Sequence, residues 1–110
     1  MKTIENIHVG SRTYVPPETI VMIQSDANYS LIYLVNGQKF IVSTCLKILE
    51  KRFAVINSFA RVHKSFLVNL DYFKSYQEGH FLLENDLICI VSRRKFKRLR
   101  EDNRVNLLND

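Results

Sequence analysis

The chain has 110 residues, 46% hydrophobic and 25% charged, which is ordinary for one globular domain. No apolar run approaches the roughly 20 residues that span a bilayer, and no signal peptide opens the chain, so a membrane or secreted protein is not expected. Two cysteines, Cys45 and Cys89, are too few for a disulfide framework or a zinc site and are expected in the core of a cytoplasmic protein.

The net charge of +5 is unevenly placed along the chain. Residues 93–104 hold seven basic and two acidic side chains, so this segment alone carries the whole excess. Such a segment is typical of a surface that meets a polyanion. On charge alone, a solvated helix face is the alternative.

Apolar and β-branched runs predict a mainly β domain over residues 1–110. Residues 1–18 are interpreted as an N-terminal extension with one or two short strands between Ile4 and Tyr14, and residues 103–110 as a frayed tail. Further strands are predicted at residues 20–23, 29–35, 38–42, 59–70, 71–76, 80–84 and 87–91, the last one buried. The last three should form a meander, because Glu78-Gly79 and Asn85-Asp86 are turn sequences.

Two helices and one tight hairpin complete the prediction. Asn36-Gly37 favours a type I′ turn, because both residues tolerate positive φ. Ser43 suits the N-cap of a helix over 44–53, with leucine and phenylalanine at helical spacing against the sheet. Ser92 likewise suits the N-cap of a helix over 93–100, whose Phe96 and Leu99 should face the core.

The middle of the chain places polar groups inside an apolar run. Arg61, His63, Lys64 and Ser65 interrupt a stretch of strand-forming residues, and an unpartnered buried polar group costs roughly 1–3 kcal/mol. This polar segment should therefore reach a surface.

The pattern Arg61-x-His63-Lys64-Ser65-x-Leu67-Val68-Asn69 resembles the signature of the LytTR family of bacterial DNA-binding domains. Ile23 to Ile32 is similar to the family's early strand-turn-strand, and Val91 to Phe96 to its closing segment. The likeness extends from about Thr19 to Leu99. It implies an elongated LytTR-type fold of short antiparallel sheets with one or two short helices, which binds duplex DNA through loops.

The resemblance also implies partners. LytTR domains commonly follow a receiver domain in response regulators of two-component systems, and their promoter sites are often paired direct repeats. The expected partners are therefore double-stranded promoter DNA, a receiver domain or sensor kinase, and a second copy on DNA. Whether this chain is free-standing or an excised C-terminal domain is left open, and no cofactor or metal is expected.

Candidate DNA contacts fall at three places, and the resemblance selects the residues within them. The first turn offers Asn28, Tyr29 and Ser30; the central segment offers His63, Lys64 and Ser65; the basic segment offers Arg93, Arg94 and Lys97. Asparagine can pair with an adenine edge, arginine can bond to guanine through two hydrogen bonds, and hydroxyl groups can bond to phosphate.

The roles of several of these residues stay open. The resemblance assigns base reading to Arg94 and a backbone clamp to Lys97, whereas Arg93 either contacts DNA or pins its own turn. His63 either contacts DNA or holds the loop by a hydrogen bond. Arg61 is expected to be structural, bonded to a carboxylate or to backbone carbonyls, and Asn69 to stabilise a turn.

The alternatives to duplex DNA binding are enzymatic activity, RNA binding and protein binding. Enzymatic activity is not expected, because His8, His63 and His80 are isolated and no glycine-rich loop or paired carboxylates can be identified. An RNA-binding module would use aromatic side chains as a stacking platform. That platform would consist of Tyr29, Tyr72, Phe73 and Tyr76. A protein-interaction module would use a sheet edge.

Overall fold

The computed structural model describes residues 5–105, which form ten β-strands and two α-helices. The strands are β1 (Ile7–Gly10), β2 (Thr13–Val15), β3 (Ile20–Asp26), β4 (Tyr29–Leu34), β5 (Lys39–Val42), β6 (Phe59–His63), β7 (Phe66–Asn69), β8 (Phe73–Gln77), β9 (His80–Leu83) and β10 (Ile88–Ile90). The helices are α1 (Leu46–Phe53) and α2 (Arg93–Glu101).

Every strand pairs with its neighbours in an antiparallel manner, in three sheets. The main sheet has the order β5-β4-β3-β7-β6, a second sheet has the order β10-β9-β8, and β1 and β2 form a separate hairpin. The predicted mainly β fold of short antiparallel sheets with one or two short helices is confirmed, with two helices present. The domain is a flat slab of 40 × 38 × 24 Å, with two long dimensions of nearly equal length.

The main sheet carries a hydrophobic core on each face. On one face, α1 and the β1–β2 hairpin cover residues such as Ile23 and Leu67. On the other face, the three-stranded sheet and α2 cover residues such as Met22, Val62 and Val68. Side chains alternate along β3, so this one strand supplies residues to both cores, and the register irregularity between Ile20 and Met22 coincides with two consecutive residues, Val21 and Met22, in the same core.

The β1–β2 hairpin fixes the entry to α1 through one close approach. Gly10 has a φ of +131°, and a Cβ atom at this position would clash with Oγ1 of Thr44. Only glycine satisfies both conditions here. One or two short strands were predicted in this region; two are present, and their turn lies against the segment that leads into α1.

Several local predictions need correction. The hairpin at Asn36-Gly37 exists, but its turn is not type I′, because only Gly37 has a positive φ; its amide donates to the carbonyl of Leu34. Helix α1 begins at Leu46 after Cys45, whose side chain makes no capping hydrogen bond, so Ser43 is not the N-cap. Residues 59–70 are not one strand but the hairpin β6–β7, with the polar segment at its turn.

Strand β10 was predicted to be buried, and this is wrong for two of its three residues. Ile88 and Ile90 point outward and are exposed, whereas Cys89 lies in the core between them. Burial raises the pKa of the Cys89 thiol to about 12, as expected for a core cysteine. The predicted tail falls mostly outside the described residues, which end at 105. No helix among residues 5–105 is long and apolar enough to cross a membrane.

Candidate nucleic-acid interface

Two hairpin turns lie side by side at one end of the main sheet. The β3–β4 turn contains Ala27 and Asn28, and the β6–β7 turn contains Lys64 and Ser65. Strands β3 and β7 are adjacent, and the amide of Ser25 donates to the carbonyl oxygen of Ser65 at 2.9 Å. The first and second predicted contact regions are thus neighbours.

Helix α2 begins beside the second of these turns. The amide of Ser92 donates to the carbonyl oxygen of Val62 in β6 at 2.8 Å, which attaches the start of the helix to the strand that leads into the β6–β7 turn. The hydroxyl of Ser92 accepts a hydrogen bond from the amide of Lys95 at 3.2 Å, so the predicted N-cap is confirmed. All three predicted regions therefore follow one another along one end of the main sheet. We call this row, formed by the β3–β4 turn, the β6–β7 turn and the start of α2, the basic edge.

The apolar side of α2 decides which way its cations point. Leu99 is buried, and the ring of Phe96 stacks on Tyr76 with centroids 3.8 Å apart and planes 10° apart. The opposite side of the helix is exposed to solvent. It carries Arg93, Arg94, Lys97 and Arg98. Within residues 5–105 the only ion pair joins Arg61 to Glu50, so these four cations have no acidic partner there.

The C-terminal end of α2 is also held. Asn103 adopts a left-handed φ of 57°, its amide donates to the carbonyl of Arg100, and the amide of Arg104 donates to that of Leu99, the pattern of a Schellman cap. The guanidinium of Arg104 bonds to the carbonyls of Asn57 and Phe59, at 2.5 and 3.1 Å. Arg104 is therefore a structural residue, although it belongs to the basic segment.

The β6–β7 turn is braced from inside by an arginine. Arg61 donates through Nε to the carbonyl of His63 at 2.9 Å and through Nη2 to the carbonyl of Lys64 at 2.5 Å. Its Nη1 donates to Oε1 of Glu50 in α1 at 2.6 Å. Arg61 was expected to bond to a carboxylate or to backbone carbonyls, and it bonds to both.

Within the described part of the chain, one ring nitrogen of His63 is hydrogen-bonded and the other is not. Its Nδ1 accepts a hydrogen bond from the amide of Ser65 at 3.1 Å, so the proton of the neutral ring lies on Nε2. The loop-holding alternative for His63 is therefore realised at Nδ1. The Nε2–H group can donate a hydrogen bond to a phosphate oxygen or to an acceptor on a base.

A shallow cavity of about 450 Å³ joins the β6–β7 turn to the start of α2. It is lined by Glu50, Arg61, His63, Lys64, Ser92, Arg94 and Lys95. Since Arg61 is neutralised by Glu50, the ammonium groups of Lys64 and Lys95 and the guanidinium of Arg94 give this cavity a positive charge. An anionic oxygen is the ligand that such a cavity favours.

Lys95 was not among the predicted contacts. The residues predicted in the basic segment were Arg93, Arg94 and Lys97, whereas Lys95 lines the same cavity as the β6–β7 turn. A signal did exist: Lys95 precedes the buried Leu99 by four residues, and this spacing places both on the side of the helix that packs on the sheet.

The β3–β4 turn presents two of its three predicted contacts. Asn28 is exposed, and Tyr29 is 50% exposed. Ser30 is fully buried, and its hydroxyl donates to the carbonyl of Thr44 at 2.7 Å, so the prediction that Ser30 contacts DNA is wrong. Alternation along the strand signalled this, because Ser30 shares its face with the core residue Ile32.

The aromatic residues of the RNA-binding alternative do not form a free platform. Tyr76 is covered by Phe96, and Phe73 packs edge-on against Phe81 with centroids 4.8 Å apart. The hydroxyl of Tyr72 donates to the carbonyl of Glu18. Of the four aromatic residues, only Tyr29 offers an exposed ring beside the basic edge.

The fold and the site define a mainly β domain with one basic edge built from two turns and a helix start. A family model described as the LytTr DNA-binding domain matches residues 10–103. The chain therefore belongs to the LytTR family of DNA-binding domains. Among curated proteins, none matches the sequence.

A solved structure agrees with this fold. It is the LytTr DNA-binding domain of a Bacillus cereus protein described as a methyl-accepting/DNA response regulator. The two domains share 16% sequence identity and superpose with a TM-score of 0.66, over 92% of this chain and 96% of that one. At this identity, the likeness is one of fold.

Proposed function

We propose that this domain binds double-stranded DNA with sequence preference, as the DNA-binding part of a bacterial transcriptional regulator in the cytoplasm. Membership of the LytTR family supports DNA binding. The observation that carries the rest is the single row of exposed polar and cationic groups along one end of the main sheet, joined by the hydrogen bonds from Ser25 to Ser65 and from Ser92 to Val62.

In this proposal, affinity and specificity come from different residues. DNA phosphates accept hydrogen bonds from Lys97 and from the imidazole Nε2–H of His63, and these contacts displace counterions from the DNA backbone. Lys64, Ser65 and Arg93 lie near the same phosphates. Arg94 reads a guanine edge, and Asn28 reads an adenine edge.

The shape of the edge favours a two-groove mode. The β3–β4 turn and the start of α2 flank the β6–β7 turn on either side, so turns of one rigid sheet enter successive grooves of the duplex. Bending of the DNA brings more of its backbone against the exposed cations. No long recognition helix is required, because two short turns and the first half of α2 carry the side chains.

The proposed partners follow from the same family. A receiver domain or sensor kinase supplies the regulatory input, and paired direct repeats in a promoter bind two copies side by side. Under this arrangement, two domains on one duplex face the same way, because direct repeats place them in a head-to-tail orientation.

The test is selection of binding sites from random duplexes, followed by titration of the selected site against salt. A sequence preference should emerge, and log K should fall against log salt with a slope near −4 to −6 if about five to seven phosphates are engaged. The double variant Arg94→Ala with Lys97→Ala should lose binding. A flat salt response, or binding to single-stranded RNA in preference to the duplex, would contradict the proposal.

A further inference from the structure

The position of Glu50 is unexpected for a domain that binds phosphates, because this acidic residue lies among cations. Its carboxylate lines the positive cavity at the basic edge and is 42% exposed. A negative charge at this position repels a DNA backbone and so lowers affinity. Its contact with Arg61 gives a reason for its presence.

The contact completes the bonding of one guanidinium group. Nε and Nη2 of Arg61 each hold a carbonyl of the β6–β7 turn, and Nη1 is held by Glu50 at 2.6 Å. Because the guanidinium is planar and rigid, fixing one nitrogen fixes the direction of the other two. The Arg61 side chain is only 18% exposed, so its position is further restricted by packing.

We propose that Glu50 is a positioning residue for DNA recognition: from α1, its carboxylate holds Arg61 on the carbonyls of His63 and Lys64, and so sets the geometry of the β6–β7 turn. This inference rests on the proposed function. A neutral side chain at position 50 accepts from Nη1 of Arg61 only through a weaker bond that lacks the negative charge, so Nη1 turns to the nearest phosphate of bound DNA and the two carbonyls of the turn lose their donor. Affinity for any duplex is then kept, while discrimination between sequences falls.

The binding test compares Glu50→Gln with Glu101→Gln, which removes the same charge from an exposed position on α2. Each variant is titrated with the selected duplex and with a scrambled duplex of equal length. For Glu50→Gln, the ratio of the two affinities should fall about tenfold, as for the loss of one base contact. Arg61→Lys should lower the same ratio, because an ammonium cannot hold both carbonyls and the carboxylate in one plane.

The Glu101→Gln control separates a positioning role of Glu50 from a simple effect of its charge. For Glu101→Gln, both affinities should rise slightly and their ratio should stay constant. If Glu50→Gln gives the same result, Glu50 is only a repelling charge and the positioning role is wrong.

A second measurement does not depend on DNA. In the free protein, amide hydrogen exchange at Ser65 reports the order of the turn, because this amide bonds to His63 Nδ1. Exchange should become several-fold faster in Glu50→Gln and remain unchanged in Glu101→Gln; unchanged exchange in Glu50→Gln would overturn the proposal. If the wild-type protein selects no sequence, the proposed function fails, and the exchange result still decides the role of Glu50.

Discussion

The β6–β7 turn and the β3–β4 turn lie side by side, but they are held in different ways. Arg61 braces the first through two carbonyls, and His63 accepts one of its amides. Among residues 5–105, no side chain braces the second in this way: Ala27 takes a left-handed φ of 56°, and the nearest anchored side chain is Ser30, buried at the start of β4.

The difference bears on the entropy of binding. A braced turn offers its donors in a fixed geometry, so little conformational freedom is lost when a ligand binds. An unbraced turn must be ordered by its ligand, so the same side-chain contact contributes less net affinity. We therefore expect the β6–β7 turn to set the register on DNA and the β3–β4 turn to adapt to it.

Removal of the brace should have the largest effect. Arg61→Ala deletes three charge-assisted hydrogen bonds and the packing of the arginine stem, and should lower the free energy of unfolding by about 3 kcal/mol. Urea denaturation measures this. Asn28→Ala in the other turn is the matched control and should stay within about 0.5 kcal/mol of wild type. Equal losses in the two variants would remove the distinction between the turns.

Arg94 should show the next largest effect, on DNA rather than on stability. It shares the positive cavity with the braced turn, and Arg94→Ala should cost about 1–3 kcal/mol on the selected site and relax the base preference there. Titration with the selected duplex and with single-base variants measures both. An equal loss on every sequence would make Arg94 a phosphate contact.

Asn28 tests the unbraced turn directly. Asn28→Ala should weaken binding to the selected site by about 1 kcal/mol, the low end for a base contact, because ordering of the turn offsets part of the gain. In calorimetry, the wild-type protein should bind the selected site with a less favourable entropy than Asn28→Ala. A loss as large as that of Arg94→Ala would mean that the turn is already ordered in the free protein.

The smallest expected effect is a gain. Ala27→Gly places glycine at a left-handed φ and should raise the free energy of unfolding by about 0.5–1 kcal/mol. Thermal unfolding measures it. Gly37→Ala is the reverse test at another turn, where φ is +93° and no atom crowds the Cβ position, and should destabilise the protein. No change at Ala27 would mean that the turn relaxes in solution.

Much of the fold was predictable because local signals and tertiary structure agree. Apolar β-branched runs bounded by turn residues gave the strands, and Ser92 marked the start of α2. Ser43 is not the N-cap because the next residue, Thr44, is held by tertiary contacts. Its backbone carbonyl accepts a hydrogen bond from the hydroxyl of Ser30, and its side chain lies against Gly10. The helix therefore starts later, at Leu46.

The candidate site was predictable in part, for a similar reason. The motif around His63 and the basic charge of α2 are local, and both reach the same edge. The partnership of Glu50 with Arg61 joins residues from separate elements, and nothing in the spacing of the sequence predicts it. Contacts of this kind arise from packing alone.

Helix α2 is fastened to the main sheet at both of its ends, by Ser92 on Val62 and by Arg104 on Asn57 and Phe59. The exposed cations of α2 therefore keep fixed positions relative to β6. Under the proposed function, relatives that bind other sequences are expected to differ in the exposed side chains of α2 and to keep the position of the helix on the sheet. Re-engineering of the preferred sequence should likewise begin with substitutions on the outer face of the helix and leave both fastenings intact.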